Sequence, residues 1–334
     1  MIDKGYEELV SKIDEIKSKI LHSDYLKNEA VKEKVRKNWV PYKPRKEEKS
    51  FIAIDGGEFI KDLRSTTFYF ADAEVIKWSS GEVEVLEGKV LTDVLMSKEG
   101  KEFDKEIVSL IMQLLELKLA YKYGDSADYI LLDGSLVKKI GSYKFKEKEF
   151  RLDDIGTDDK IYAIEMAGND EKLLLRYLIA ENHTVIARLI EKYKQKLLFI
   201  SKDSRSKELF NERLGDMALF DLFTTLPGHS NLLTKVISGM NLISLKASEK
   251  LDGEKYFSSY IRLDEGEKVL KIDMFTNNVE RVMDVLSVVN VKGYPYPLLR
   301  VHIDAKISRE DRRKILQVLN IKKGTFEWFP SQLV

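Results

Sequence analysis

The 334-residue chain has no cysteine, only six prolines and no apolar run of the ~18–20 residues that a membrane helix requires. The missing cysteines exclude disulfides and thiolate metal sites. No basic region followed by an apolar stretch opens the chain, so we expect no signal peptide and a cytoplasmic protein without a membrane partner. The pattern GxxxxGK(S/T) is also missing, which argues against a P-loop enzyme.

An excess of one charge sign is missing as well. Lys and Arg total 56, as do Asp and Glu, so the formal net charge is zero although charged residues make up 34% of the chain. That share exceeds the usual ~25%, and with the absent cysteine it favours a thermophilic source. If the protein binds nucleic acid, its positive charge must be local. Residues 32–49, which are basic and contain Trp39 and Tyr42, are one candidate contact with DNA; a solvated linker is the alternative.

The spacing of apolar residues predicts a mixed α/β chain. An amphipathic helix is expected over 4–22 with Asp3 as its N-cap, followed by a basic connector up to residue 49. Beyond it, strands are predicted at 51–55, 66–76, 82–91, 128–133, 197–201, 256–263, 268–275 and 298–304. Helices are predicted at 103–122, 170–196, 206–222, 278–289 and 308–319, with a polar excursion at 140–160.

This order of elements predicts the fold class. Strands joined by a hairpin come first, and helices and strands then alternate, which is the order of a ribonuclease-H-like mixed sheet flanked by helices. A doubly wound fold would alternate strand and helix from the start. We therefore expect an α/β domain over residues 50–334, preceded by an N-terminal helical extension over residues 1–49.

Three apolar strands end in charged residues, namely Asp55, Asp133, and Lys202 with Asp203. Open α/β sheets place ligands at the carboxyl ends of their strands. Acids that converge there repel one another unless a cation lies between them, and Mg²⁺ or Mn²⁺ suits carboxylate oxygen. Each Asp-Gly pair is also a common turn, and Asp203 is a candidate cap for a following helix. Lys202 either neutralises phosphate charge or is an ordinary surface lysine.

The segment 298–306 adds a second group of candidates. Read as a strand, it places Arg300, His302, Asp304 and Lys306 on one face. His302 and Asp304 would then address one site, where a histidine can ligate Mn²⁺, assist proton transfer or hold a phosphate. A half-exposed strand with a polar face explains the same pattern without any site.

Four segments together resemble the NurA family of archaeal DNA nucleases: IDGG at 54–57, LDGSL at 132–136, SKDS at 201–204 and VHID at 301–304. Each is weak alone, but their order and spacing over most of the chain are specific. The resemblance implies a ribonuclease-H-like homodimeric nuclease that uses Mn²⁺, with Mg²⁺ as a substitute. It also implies 5′-to-3′ trimming of DNA and internal cutting of single strands. The partner that it implies is the hexameric HerA translocase, with which the nuclease would resect broken DNA ends for homologous recombination. Mre11 and Rad50 are implied to act beside them in the same process.

Carried over residue by residue, the resemblance implies the active-site positions Asp55, Glu116, Asp133, Lys202 and His302. The metal ligands among the candidates are Asp55, Asp133, Glu116 and Asp304. The glutamate is the open choice, because the family takes one from the helix after the third strand and Glu106 is the alternative. At 100° per residue, Glu116 is expected on the polar side of that helix, opposite the apolar face centred near Ile111.

Two other functions stay open on the residues alone. A sugar-kinase or actin-type ATPase also begins from this sheet and uses Asp-Gly turns, but it needs a second large domain and an adenosine motif that we do not find. A non-catalytic adaptor of a DNA translocase is the other alternative, and the acids Asp55 and Asp133 argue against it. The aromatic residues 326–330 are expected to dock on a partner or to cover the core.

Overall fold

The computed structural model of the chain describes residues 2–20, 26–63, 66–96, 99–141, 158–237 and 251–320. Most of the predicted excursion at 140–160 and all of the aromatic residues 326–330 lie outside these ranges. Within them, no helix is both long enough and apolar enough to cross a membrane.

Both strands and helices form the described parts of the chain. The strands are β1 Trp39–Pro41, β2 Phe51–Asp62, β3 Thr67–Ser79, β4 Glu82–Leu95, β5 Tyr129–Asp133, β6 Leu197–Ser201, β7 Gly228–Ser230, β8 Leu233–Val236, β9 Lys255–Arg262, β10 Leu270–Met274, β11 Asn290–Val291 and β12 Tyr294–Pro295. The helices are α1 Ile2–Ser11, α2 Ile13–Ile20, α3 Glu29–Lys37, α4 Lys101–Tyr123, α5 Leu136–Ile140, α6 Tyr162–Ala167, α7 Glu171–Tyr193, α8 Asp216–Phe223, α9 Val279–Val288, α10 Tyr296–Asp304 and α11 Arg309–Val318.

In the described ranges, ten strands form one sheet in the order β1-β7-β9-β10-β6-β5-β2-β3-β4, with β8 paired to β9. β2, β3 and β4 are antiparallel neighbours, whereas β5 runs parallel to both β2 and β6. The order β4-β3-β2-β5-β6 with these directions is the predicted ribonuclease-H-like mixed sheet. β1, which precedes residue 50, joins the same sheet by pairing with β7. The predicted boundary between an N-terminal extension and the main domain therefore stays a prediction.

Two apolar layers cover the central strands, because successive side chains point to opposite faces. Ile52 and Ile54 pack with α4 and α7 on one face. Phe51 and Ala53 pack with α9 and α10 on the other. Side chains two residues apart on a strand share a face, so Asp55 lies on the same face as Ala53, which α10 covers.

The predicted strand at 298–304 is wrong, because these residues form α10. Pro297 lies in the first turn of this helix, where a missing backbone N–H costs no hydrogen bond and the fixed φ is already helical. Leu298, Val301 and Ala305 are buried at helical spacing. Ile303, which a strand would have buried, is 61% exposed.

Other boundaries also differ from the predictions. The helix expected at 4–22 is two helices that break at Lys12, and Asp3 lies inside the first of them. The helix expected from residue 206 begins only at Asp216, because the Asp216 carboxylate accepts hydrogen bonds from the backbone nitrogens of Leu209 and Phe210 and holds them in a turn. Asp203 therefore caps no helix.

A buried ion pair fastens α4 to α7. Lys118 and Glu181 are 3% and 0% exposed, and Nζ lies 2.8 Å from Oε1. Glu181 also accepts a hydrogen bond from the backbone nitrogen of Ala163 at 2.8 Å, at the start of α6. Since Glu116 lies two residues before Lys118 on α4, this pair helps to fix the helix that supplies Glu116.

Replacing one partner of this pair is expected to destabilise the protein strongly. Lys118→Met should lower the free energy of unfolding by about 3–5 kcal/mol, because the Glu181 carboxylate is left buried without its counter-ion. The double variant Lys118→Met/Glu181→Gln removes the charge but keeps an acceptor for Ala163, and most of the stability should return. Urea denaturation followed by circular dichroism measures both, and a wild-type midpoint for Lys118→Met would contradict the expectation.

Candidate metal centre

Asp55 and Asp133 lie side by side on adjoining strands. The parallel register pairs Ile54 with Leu132, so the next residue of each strand is one of the two acids. Each carboxylate accepts a hydrogen bond from the following glycine nitrogen, at 3.0 Å for Asp55 and 3.1 Å for Asp133. Gly134 has a φ of +92°, a conformation that favours glycine, and it turns the chain into α5.

His302 reaches the same point from α10. Its Nδ1 lies 2.6 Å from Oδ2 of Asp55. The ligand atoms of Asp55, Asp133 and His302 all lie within 4.8 Å of one another. Carboxylate oxygen and imidazole nitrogen form a donor set that suits Mn²⁺, so the residues present fit the predicted ion.

Asp133 has two more partners. Lys202 places its Nζ 3.3 Å from Oδ2, and the Tyr294 hydroxyl donates to Oδ1 at 3.2 Å. Burial, with a contribution from Asp133, raises the pKa of the Tyr294 phenol, so it stays a hydrogen-bond donor. The sequence analysis missed Tyr294, because nothing in its neighbourhood distinguishes it from the other 14 of the chain's 15 tyrosines.

Glu116 approaches from the opposite face of the sheet. It is 4% exposed, so the predicted position on a polar helix side is wrong. The reason is that α4 is covered by the sheet on one side and by α7 on the other, which buries most of the second half of the helix. The Lys139 Nζ donates to Oε2 of Glu116 at 2.6 Å.

The pKa of Glu116 is raised to about 7, mainly by burial. Lys139 lowers this pKa, whereas the negative charges of Asp55 and Asp133 raise it. The three carboxylates thus repel one another through the sheet. A divalent cation among them would relieve that repulsion.

A cleft of about 330 Å³ connects the three acids. Glu106, the alternative glutamate, lines this cleft as an exposed residue. Neither Glu116 nor Asp304 belongs to the group of converging ligand atoms. Asp304 instead accepts a hydrogen bond from Arg300 Nε at 2.5 Å. A larger cleft of about 540 Å³ beside Tyr42 has no comparable ligand group among the residues that the structure describes.

Asp273 on β10 anchors the turn that carries Asp133. Its carboxylate is buried and accepts hydrogen bonds from the Leu136 backbone nitrogen at 3.0 Å and from the Ser258 hydroxyl at 2.6 Å. Gly134 also donates to the carbonyl oxygen of Ile200 at 2.8 Å. Sequence reasoning missed Asp273, although a lone acid inside the apolar strand β10 is a signal of a buried polar role.

Two acids on β3 were also missed, and they lie on the same face as Asp55. Glu74 is directly opposite Asp55 in the antiparallel register. Asp72 accepts a hydrogen bond from the Gly57 nitrogen at 2.7 Å. Burial, together with Glu74 and Asp55, raises the pKa of Asp72 to about 6 although that hydrogen bond lowers it. The alternation of polar and apolar residues along β3 could have identified both.

Known proteins resemble this chain over its full length. The DNA double-strand break repair nuclease NurA of Sulfurisphaera tokodaii is 49% identical over 335 residues, which cover 100% of both chains. The protein of the same name from Sulfolobus acidocaldarius is 39% identical over 341 residues, which cover 99% of each. The crystal structure of the NurA nuclease from Sulfolobus solfataricus matches with a TM-score of 0.80 and 33% identity, covering 99% of this chain and 100% of that one.

A more distant structure, NurA bound to dAMP and manganese, shares the fold with a TM-score of 0.65 at 18% identity, covering 94% of this chain and 98% of that one. The family model that matches is the NurA domain, over residues 49–307. With most of the sequence matched by that model and relatives aligned from end to end, the chain belongs to the NurA family.

Proposed function

We propose that this protein is a metal-dependent nuclease that hydrolyses phosphodiester bonds in DNA. The observation that carries the proposal is the convergence of Asp55, Asp133 and His302, whose ligand atoms lie within 4.8 Å of one another. The relatives at 49% and 39% identity are named as DNA repair nucleases. A non-catalytic adaptor would have no need for this set of ligands.

The ion would be held by Asp55, Asp133 and His302, with Glu116 completing the set from the other face. We propose Mn²⁺, with Mg²⁺ as a substitute, because the donors are carboxylates and one imidazole. A NurA protein of the same fold has been crystallised with manganese, which is in line with this choice. When bound, the ion would stabilise negative charge on the phosphate and make water a better nucleophile.

The chain's own side chains would prepare the site for the substrate. Lys202 would neutralise phosphate charge next to Asp133, from which it lies 3.3 Å away. Tyr294 would keep the Asp133 carboxylate in one orientation through its hydrogen bond. His302 is aligned by Asp55 and its side chain is 45% exposed, so the ring can also meet the DNA.

We further propose the activities and partners that the family resemblance implies. These are 5′-to-3′ exonuclease activity on single- and double-stranded DNA and endonuclease activity on single strands. The protein would act as a homodimer with a HerA-type hexameric translocase, beside Mre11 and Rad50, in resecting double-strand breaks for homologous recombination. Chromosomal DNA as the substrate would place it in the cytoplasm.

Removing either aspartate charge is expected to abolish cleavage. Asp55→Asn and Asp133→Asn should each slow cutting by at least ~10²-fold, since each loses a negatively charged metal ligand. End-labelled single- and double-stranded oligonucleotides with Mn²⁺, Mg²⁺ or EDTA measure the rate, and the label position gives the polarity. Calorimetric titration with Mn²⁺ should show weaker binding for both variants.

Asp252→Asn is the matched control, because Asp252 is an exposed acid before β9 and far from the carboxyl end of β5. It should cleave like the wild type. Wild-type protein that yields no product with either ion would contradict the nuclease proposal and favour the adaptor. Near wild-type cleavage by Asp55→Asn or Asp133→Asn would instead contradict this assignment of the site.

The helical form of α10 predicts different effects for two of its residues. His302→Ala should slow cleavage strongly, whereas Asp304→Asn should leave it near the wild-type rate. The reason is that residues two apart on a helix point about 200° away from each other, and Asp304 is engaged with Arg300. Initial rates with Mn²⁺ test this; equal losses in both variants would restore Asp304 as a ligand.

The proposed homodimer gives a separate prediction. Size-exclusion chromatography with light scattering should give twice the chain mass of 38.7 kDa. A monomer at all concentrations up to the micromolar range would contradict the dimer without affecting the nuclease proposal.

A further inference from the structure

The cleft at the candidate metal centre contains more negative than positive charge. Asp55, Glu116, Asp133 and Glu106 all line it, and a DNA phosphate is itself an anion. Like charges repel, and the repulsion is stronger where water is partly excluded. The bound ion would offset part of this charge, but a backbone phosphate that lies away from the ion needs another cation.

Two lysines line the same cleft, Lys138 and Lys139 on α5, and they differ in what they contact. Lys139 is 8% exposed and its ammonium lies 2.6 Å from the Glu116 carboxylate. Its charge is therefore already engaged with Glu116. Lys138 is exposed and forms no ion pair with any of the residues that the structure describes.

Hydrogen bonds hold the backbone at and just after Lys138, whereas the ammonium group of Lys138 is exposed. The Lys138 nitrogen donates to the Ser135 hydroxyl at 3.2 Å. The next carbonyl, that of Lys139, accepts a hydrogen bond from Gln113 at 2.7 Å. His183 Nε2 lies 2.7 Å from the carbonyl oxygen of Ile140. The fixed backbone of α5 thus keeps the flexible, positively charged side chain of Lys138 at the edge of the cleft.

We propose that Lys138 binds a backbone phosphate of the DNA strand in this cleft, which rests on the proposed nuclease function. A lysine suits this role because its ammonium acts as a compact point charge on a flexible stem. Lys202 lies 3.3 Å from Asp133, so its charge would act on the phosphate next to the ion. Lys138 contacts the strand beyond the scissile bond, so it contributes to DNA binding before any cleavage.

The test measures binding without the metal ion. Fluorescence anisotropy of a labelled single-stranded oligonucleotide in EDTA gives the affinity over a series of NaCl concentrations. Lys138→Gln should bind more weakly, and the slope of log K against log salt should fall in magnitude by about 0.7, the value for one phosphate contact on a single strand. Lys138→Arg keeps the charge and should keep the slope.

Lys255→Gln is the matched control, since Lys255 is an exposed lysine at the start of β9, on the side of the sheet where β5 and β6 begin. It should bind like the wild type. In Mn²⁺-dependent cleavage, Lys138→Gln should raise KM more than it lowers kcat. All three variants should keep the wild-type melting temperature, because Lys138 and Lys255 are both exposed.

An unchanged salt slope and KM in Lys138→Gln, with normal wild-type cleavage, would overturn this assignment and leave the nuclease function standing. Weaker binding with an unchanged slope would overturn it as well, because the lost contact would not be ionic. A wild-type protein that neither binds nor cuts DNA would overturn both proposals together.

Discussion

Repulsion between carboxylates at the junction of β2 and β5 is the constraint on which the rest of the site depends. The parallel register makes Asp55 and Asp133 neighbours, and the burial of Glu116 adds a third acid whose pKa both aspartates raise. The Nζ of Lys139 lies 2.6 Å from the Glu116 carboxylate, and the Nζ of Lys202 lies 3.3 Å from that of Asp133. Such an arrangement is costly in a protein without a cation, which is why it indicates a site for one.

The sequence predicted the sheet well because the order of the elements depends on local signals. The order of hairpin and alternating units identifies the sheet. The apolar run that ends in Asp133 also identifies the end of β5, whereas β2 continues past Asp55 to Asp62. The segment 298–304 misled because two periods overlap in it. Val301 and Ala305 fit alternation, but with Leu298 they also fit a helix, and Pro297 in the first turn favours the helix. His302 was a candidate because of its chemistry, which does not depend on the period, and its Nδ1 lies 2.6 Å from Oδ2 of Asp55.

The partners of the acids could not be predicted, because they come from packing between distant segments. Tyr294 meets Asp133 across 161 residues of chain, and Asp273 meets the turn at Leu136 across 137. Glu116 lies on a side of α4 that the helical period assigns to solvent, but that side faces β2 at Gly56, while α7 covers another side of the helix. A period read from one helix describes a helix with one buried face, and it fails when a second layer covers the other.

The two Asp-Gly pairs, at residues 55–56 and 133–134, look alike in sequence but have different structural roles. Gly134 is a true turn residue, with a φ of +92° that ends β5. The expected turn at Gly56 is wrong, because β2 runs on through it to Asp62. A Cβ there would lie 2.6 Å from the Asp72 carbonyl oxygen, 2.7 Å from Met112 Cγ and 3.1 Å from Glu116 Oε1. Glycine is needed because the missing side chain lets Glu116 approach the strand from behind while Asp55 points forward. Carboxylates on two faces of one sheet can thus approach each other, which an alternating strand with side chains at every position would prevent.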